Sequence, residues 1–169
     1  KLIMDDTDQP SLHVWIPAFR LCDVLSTTST DIHPAFRING KEIAGFWMGK
    51  YQSKVYNGRS YSLPAEDPSA SRNYDSFASS CVAKGKGWHE VTAAEWAAIA
   101  LWCHKHGCEP YGNNDYGKDT RESERIAIPT YLDSDGKTGR VATGTGPVTW
   151  SHNGKMSGVF DMNGNVWEW

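Results

Sequence analysis

Two helices and several short strands can be read from where the apolar residues fall. Between Tyr74 and Lys84 they sit at Tyr74, Phe77, Ala78, Cys81 and Val82, the spacing of one helical face, and Gly85 and Gly87 end the run. The clearest local signal follows. Thr92-Ala-Ala-Glu95 is a capping box, which predicts a helix from there to about His106, stopped by Gly107. Trp96, Ile99, Ala100 and Cys103 form its expected buried face, with Trp102 on the flank. "HVWIPAF" (13–19) is apolar and β-prone, but Pro17 points to an edge or irregular strand. Ile43 to Tyr51 reads as a buried strand. Asn39-Gly40 and Asn57-Gly58 are hairpin turn dipeptides, the second centring a small hairpin over Val55–Ser62.

Elsewhere the pattern dissolves. Residues 1–12 are polar, carry Asp5, Asp6 and Asp8, and read as a frayed N-terminal arm before a single domain over 13–169. "STTSTD" (26–31) and "LPAEDPSASR" (63–72) are loops by composition. From Cys108 to Gly146 there is little periodicity, with short strands expected near "RIAIPTYL" and "GRVATG". A loop this long implies a binding role or internal order of its own. "GPVTWSHNG" reads as a strand entering a turn at Asn153-Gly154.

Composition narrows the class. With 169 residues, 39% hydrophobic and 22% charged, the chain can build one real core. A net charge of −3 gives no electrostatic reason to expect nucleic acid as a partner. No apolar run approaches the roughly 20 residues of a membrane helix, so no membrane insertion is expected. Eight tryptophans and sixteen glycines predict a loop-rich fold pinned by aromatic anchors. The four cysteines, at irregular spacing, leave reduced thiols and two bridges both open.

Three stretches resemble one family. "GFWMGKYQS" (45–53), "GWHEVTAAEWAAIALW" (87–102) and above all "GVFDMNGNVWEW" (158–169) are similar, in this order, to segments of the formylglycine-generating-enzyme, or sulfatase-modifying-factor, family. The last matches the family's hallmark almost position for position, and the resemblance spans about residues 14–169. It implies an α+β domain with the family's variant of the C-type-lectin-like fold: two helices, short twisted strands and many ordered loops. It also implies that the domain continues past Trp169. The family's enzymes oxidise a client cysteine using copper and two cysteines that follow this motif. None of Cys22, Cys81, Cys103 or Cys108 matches those positions. The resemblance therefore favours the non-enzymatic branch, the variable proteins of diversity-generating retroelements. That branch implies a ligand- or receptor-binding scaffold at a phage or prophage tail tip or a cell surface. Its partner would be a protein or glycan receptor, bound near and after Trp169. An oxidoreductase of the formylglycine-generating type, or a sulfoxide-synthase relative, cut before its catalytic cysteines, is the alternative. Trimers occur in the binding branch, but no heptad stalk predicts an oligomer here.

Within the motif, Gly158, Asp161, Gly164, Asn165, Trp167, Glu168 and Trp169 are the expected structural residues, together with Trp96. On a strand, Trp167 and Trp169 would share a face and bury against the helix bearing Trp96. Gly158 and Gly164 would supply special backbone conformations or close approach. The resemblance also implies a calcium ion near Asn165 and Glu168, whose oxygens suit a hard cation. The other reading makes Asn165 a turn cap and Glu168 a hydrogen-bonded or ion-paired group. No cofactor is otherwise required.

Three weaker signals remain. "CHKHGC" (103–108) holds zinc-type ligands at a spacing that also fits a helix C-terminus with cationic histidines, or a disulfide. "DSDGKTGR" (133–140) starts like a calcium loop without its closing glutamate, and reads as a turn. His89-Glu90 precedes the capped helix, where a surface or strand role outweighs acid–base chemistry.

Overall fold

The computed structural model describes residues 1–168, and Trp169 lies outside the described residues. The class is α+β. A three-stranded antiparallel sheet is ordered β1 (Leu2–Met4), β2 (Pro10–Pro17) and β5 (Gly45–Gly49). Two-stranded ladders join β3 (Arg37–Ile38) to β4 (Lys41–Glu42), β6 (Ser53–Tyr56) to β7 (Arg59–Ser62), and β8 (Pro129–Leu132) to β9 (Thr138–Val141). The helices are α1 (Leu21–Val24), α2 (Tyr74–Val82) and α3 (Ala93–His106), with 3₁₀ turns at Pro34–Phe36 and Val148–Trp150.

The N-terminal residues are not a frayed arm. β1 pairs with β2 from Leu2↔Leu12 to Met4↔Pro10, and the turn between them is folded around buried Asp5. Its carboxylate accepts from Thr7 N–H (2.9 Å), Gln9 N–H (3.0 Å), the Thr7 hydroxyl (2.8 Å) and Tyr61 O–H (2.9 Å). The Asp5 carboxylate is the acceptor that closes this turn. β2 is the central strand, not an edge, because Pro17 falls at its last position and no interior ladder bond is lost.

Both Asn-Gly expectations are met. Asn39-Gly40 and Asn57-Gly58 have positive φ at both residues and close β3–β4 and β6–β7. α3 starts at the Thr92/Glu95 capping box and ends at left-handed Gly107, as its sequence predicts. "GPVTW" is a 3₁₀ turn rather than a strand.

One face of the central sheet carries Val14, Ile16, Phe46 and Met48 into the main core. There they meet Phe36 and the buried side of α3, formed by Ala98, Ile99 and Cys103. A second core gathers Ala127, Val141 and Phe160 around Trp150, which is fully buried and donates its indole N–H to Glu122 at 3.1 Å. Trp96 is not part of either core. It is 41% exposed, because Glu95 and Ala98, not Trp96, lie on the side of α3 that meets the protein. Among the described residues no helix is long and apolar enough to cross a membrane.

Candidate functional site

The 158–168 segment works through its polar residues. Asn165 has a left-handed backbone (φ 67°), and its side chain forms four hydrogen bonds. Oδ1 accepts from Val141 N–H (2.9 Å) and Asn113 Nδ2 (3.2 Å), while Nδ2 donates to Gln52 Oε1 (3.0 Å) and the Val141 carbonyl (3.1 Å). Its backbone N–H donates to the Asn113 carbonyl at 2.9 Å. One side chain thus ties together the start of the long loop, the end of β9 and the segment after β5. Gly164, at φ 74°, pairs with Asn113 so closely that a Cβ would strike the Asn113 carbonyl. Gly158 lacks positive φ, and is required because its Cα faces Asn153 and Ser151.

The same logic orders the 108–146 region, which has little periodicity to announce it. Asp119 is fully buried and accepts from Gly112 N–H (3.1 Å), Asn114 Nδ2 (2.9 Å), and Arg121 Nε (2.6 Å) and Nη2 (2.8 Å). The Arg121 guanidinium, itself stacked 3.6 Å over the Tyr111 ring, holds the Asp119 carboxyl well below the usual carboxylate range against the opposing effect of burial. Asp161 is buried with φ 61°. One oxygen accepts from Gly144 N–H (2.7 Å), and Oδ1 has no hydrogen-bond partner among the described residues. Burial raises its pKa to about 6, opposed by the Gly144 bond and reinforced by nearby Glu168.

The tryptophans depart from expectation. Trp167 is not a buried strand residue: it is 99% exposed, and residues 166–168 form no strand. Among the described residues of the motif, polar Asn165 rather than the Trp167 indole fastens this segment. Asn165 already spends its amide on the protein, so the chain has no need to bury Trp167 to hold this segment. Trp167→Ala is accordingly expected to change unfolding free energy by less than about 0.5 kcal/mol in chemical denaturation. A loss above about 2 kcal/mol would restore the anchoring role.

Asn165 and Glu168 do not fit a shared calcium. Both Asn165 Oδ1 contacts are N–H donors, and Gln52 stands between the two residues, donating to Glu168 Oε1 at 3.0 Å. A cation would have to displace those donors. Glu168 is exposed as a residue, but desolvation of its carboxyl raises its pKa, countered by hydrogen bonds from Gln52 and Trp96. Titrating calcium into EDTA-treated protein is expected to leave the melting temperature where it was; a concentration-dependent rise shows a site.

Beside this segment lies a cleft of about 220 Å³ between the sheet, β7, α2 and the start of α3. Phe46, Phe77, Trp88 and Phe160 supply its aromatic lining. At its side is Lys84, only 1% exposed, with Nζ bonded to Ser11 Oγ (2.5 Å) and lying 3.8 Å over the Trp88 ring and 4.3 Å over Tyr61. Burial lowers its pKa to about 8, partly offset by attraction to Asp5. Among the described residues, two buried oxygens in the cleft lack a hydrogen-bond partner: Glu90 Oε2, and Ser60 Oγ, whose neighbour is the Cys81 thiol. Desolvation raises the Glu90 pKa. Such orphan acceptors in an aromatic-lined space are what a ligand's donors or ordered water satisfy. A second depression, bordered by Tyr74 and Trp96, shares Glu90, Val91, Met162, Val166 and Glu168 with the cleft.

His89 is a surface residue outside any strand, lying against the capping box. Its Nε2 lies 3.0 Å from Glu95 Oε1, and that bond raises its pKa. Burial pushes Cys103 up to about 12 and also raises Cys81 and Cys108. Among the described residues, no group of three or more His, Cys, Asp or Glu side chains converges as metal ligands would. "DSDGKTGR" is the turn joining β8 to β9, where Asp133 accepts from Asp135 N–H (2.9 Å) and Lys137 N–H (2.8 Å). Sequence reasoning missed the cleft altogether, because Ser11, Ser60, Lys84 and Glu90 share no spacing. Their convergence is tertiary.

Neither a family model nor a curated protein matches the chain.

Proposed function

We propose that this protein is a ligand-binding scaffold with the C-type-lectin-like fold in its formylglycine-generating-enzyme variant. In this reading it belongs to the retroelement-diversified branch, carried on a phage or prophage particle or a cell surface and engaging a protein or glycan receptor there. The observation that carries the reading is Trp167: a fully bared indole on a backbone pinned by Asn165 and Gly164, beside an aromatic cleft and flanked by half-exposed Trp96. Exposed aromatics on a rigid base are the usual anchors of recognition, since their truncation costs binding energy and little ordering entropy is lost when they engage.

The decisive experiment is sequencing the encoding locus. A near-copy of the coding segment around and after the Trp169 codon, differing at adenines and lying beside a reverse transcriptase gene, is the expected finding. A locus lacking both, with two cysteines encoded about five residues apart in an arginine- and glycine-rich stretch after that codon, would replace binding by oxidation of a client cysteine.

A further inference from the structure

Independently of the ligand reading, we propose that Cys103 and Cys108 are a reversible oxidation site: a dithiol that closes to an intramolecular disulfide across the C-terminal cap of α3.

The argument begins with Gly107. A left-handed residue just past a helix sets up a Schellman motif, in which the next residue meets the one five positions earlier. Both defining bonds are present, Cys108 N–H to the Cys103 carbonyl at 3.0 Å and Gly107 N–H to the His104 carbonyl at 3.3 Å. The two positions that normally make an apolar contact in this motif are therefore cysteines. Their thiols converge on one atom: Cys103 Sγ donates to the His152 carbonyl at 3.1 Å, and Cys108 Sγ donates to the same oxygen at 3.2 Å. Sharing one acceptor makes the two thiols neighbours, and the backbone bond holds their residues together, which is the approach that disulfide geometry needs.

The two thiols differ in access. Cys108 is half-buried and Cys103 is 2% exposed, so Cys108 meets an oxidant first. With a small-molecule disulfide such as oxidised glutathione, the Cys108 thiolate attacks one sulfur and releases one glutathione thiol. The Cys103 thiolate then attacks Cys108 Sγ in the mixed disulfide and releases the second. Two protons and two electrons leave the protein, and one disulfide becomes two thiols. Closure removes both S–H donors from the His152 carbonyl. The oxidised form thus surrenders two hydrogen bonds that the reduced form holds, which makes the pair reversible rather than a permanent staple. Because both thiols are protonated at neutral pH, closure accelerates by about tenfold per pH unit on moving into mild alkali.

Lys105 lies between the two cysteines, so trypsin places them on separate peptides that remain joined only by a disulfide. The test incubates the folded protein with excess oxidised glutathione at neutral and mildly alkaline pH, followed by alkylation and peptide mapping. The expected product is lighter by two hydrogens and yields the Cys103–Cys108 linked pair, restored to two alkylated peptides by dithiothreitol. Phenylarsine oxide, which bridges adjacent dithiols, is expected to bind the reduced protein at this pair and block closure. Cys108→Ser, at the half-buried position, should leave Cys103 unmodified under the same conditions. The proposal is overturned if both cysteines remain free thiols, if each carries a separate glutathione, or if either pairs with Cys22 or Cys81.

Discussion

Replacing Asn165 by alanine should destabilise the protein by about 3–5 kcal/mol, because it strips partners from several buried groups at once, each worth about 1–3 kcal/mol when left unmade. The Val141 N–H and carbonyl, the Gln52 amide and the Asn113 amide all lose a bond, and Val141 is fully buried, so water does not take their place. A left-handed alanine adds about 1 kcal/mol, since only glycine and asparagine tolerate φ near 67° cheaply. Urea unfolding measures the change, and the hub idea fails if Asn165→Ala costs less than about 1 kcal/mol. The Trp167→Ala variant is the internal contrast. Two neighbouring residues of one motif differ in stability cost because one is wired to three segments and the other stands in solvent.

Acidification provides the second large effect. His13 and His152 are buried, and desolvation lowers both from 6.5 to about 4. His152 accepts the Val159 N–H on Nδ1 at 2.8 Å, which requires the neutral ring. Between pH 4 and 6.5 these histidines take up protons only on unfolding, so the stability they carry is complete above 6.5 and is lost as pH falls. Asp161 acts with the opposite sign. Its native pKa of about 6 lies above the usual 3.8, so it binds a proton in the native state within the same window and loses stability as pH rises. Buried His33, also lowered, adds to the histidine side, while Glu90 and Glu168, raised by desolvation, act with Asp161; for His13, His152 and Asp161 alone, two protons against one leave a net uptake of about one on unfolding, or about 1.4 kcal/mol per pH unit. His89, raised by Glu95, acts above 6.5 and does not enter. Asp161→Asn separates the contributions. The variant should equal or exceed the native protein's stability at pH 7, converge with it near pH 4, and therefore show a steeper acid decline. Denaturation midpoints across pH 4–7 check this, and a native curve flat over that range contradicts buried, neutral histidines.

These two results bear on how the motif is understood. A run rich in tryptophan invites an account based on apolar anchoring, yet the residues that fasten it are Asn165, Asp161 and Gly164. The Trp167 indole is thereby free for contact with something else. Trp150, outside the motif, is the tryptophan that fills a core. Cys103 and Cys108 show the same division of labour: the helix stop at Gly107 predicts that their positions meet, but only the fold brings the His152 carbonyl to both sulfurs.

What the sequence determined by itself is whatever rests on neighbours in the chain. The Thr92/Glu95 box and Gly107 bounded α3, since caps act within one turn. The Asn-Gly pairs set two hairpins through local φ alone, and the α+β class followed from these elements. The tertiary structure decided the rest. It turned an acidic N-terminal stretch into a paired strand with a buried aspartate. It ordered residues 108–146 through Asp119, Asn113 and Asn165 rather than through any repeat, and it put Trp96 and Trp167 in solvent. It also assembled a cleft from Ser11, Ser60, Lys84 and Glu90. Periodicity reports which face of an element is apolar. It carries no record of side chains that fold a chain by reaching for distant backbone, and that is how this protein holds its loops and its candidate site.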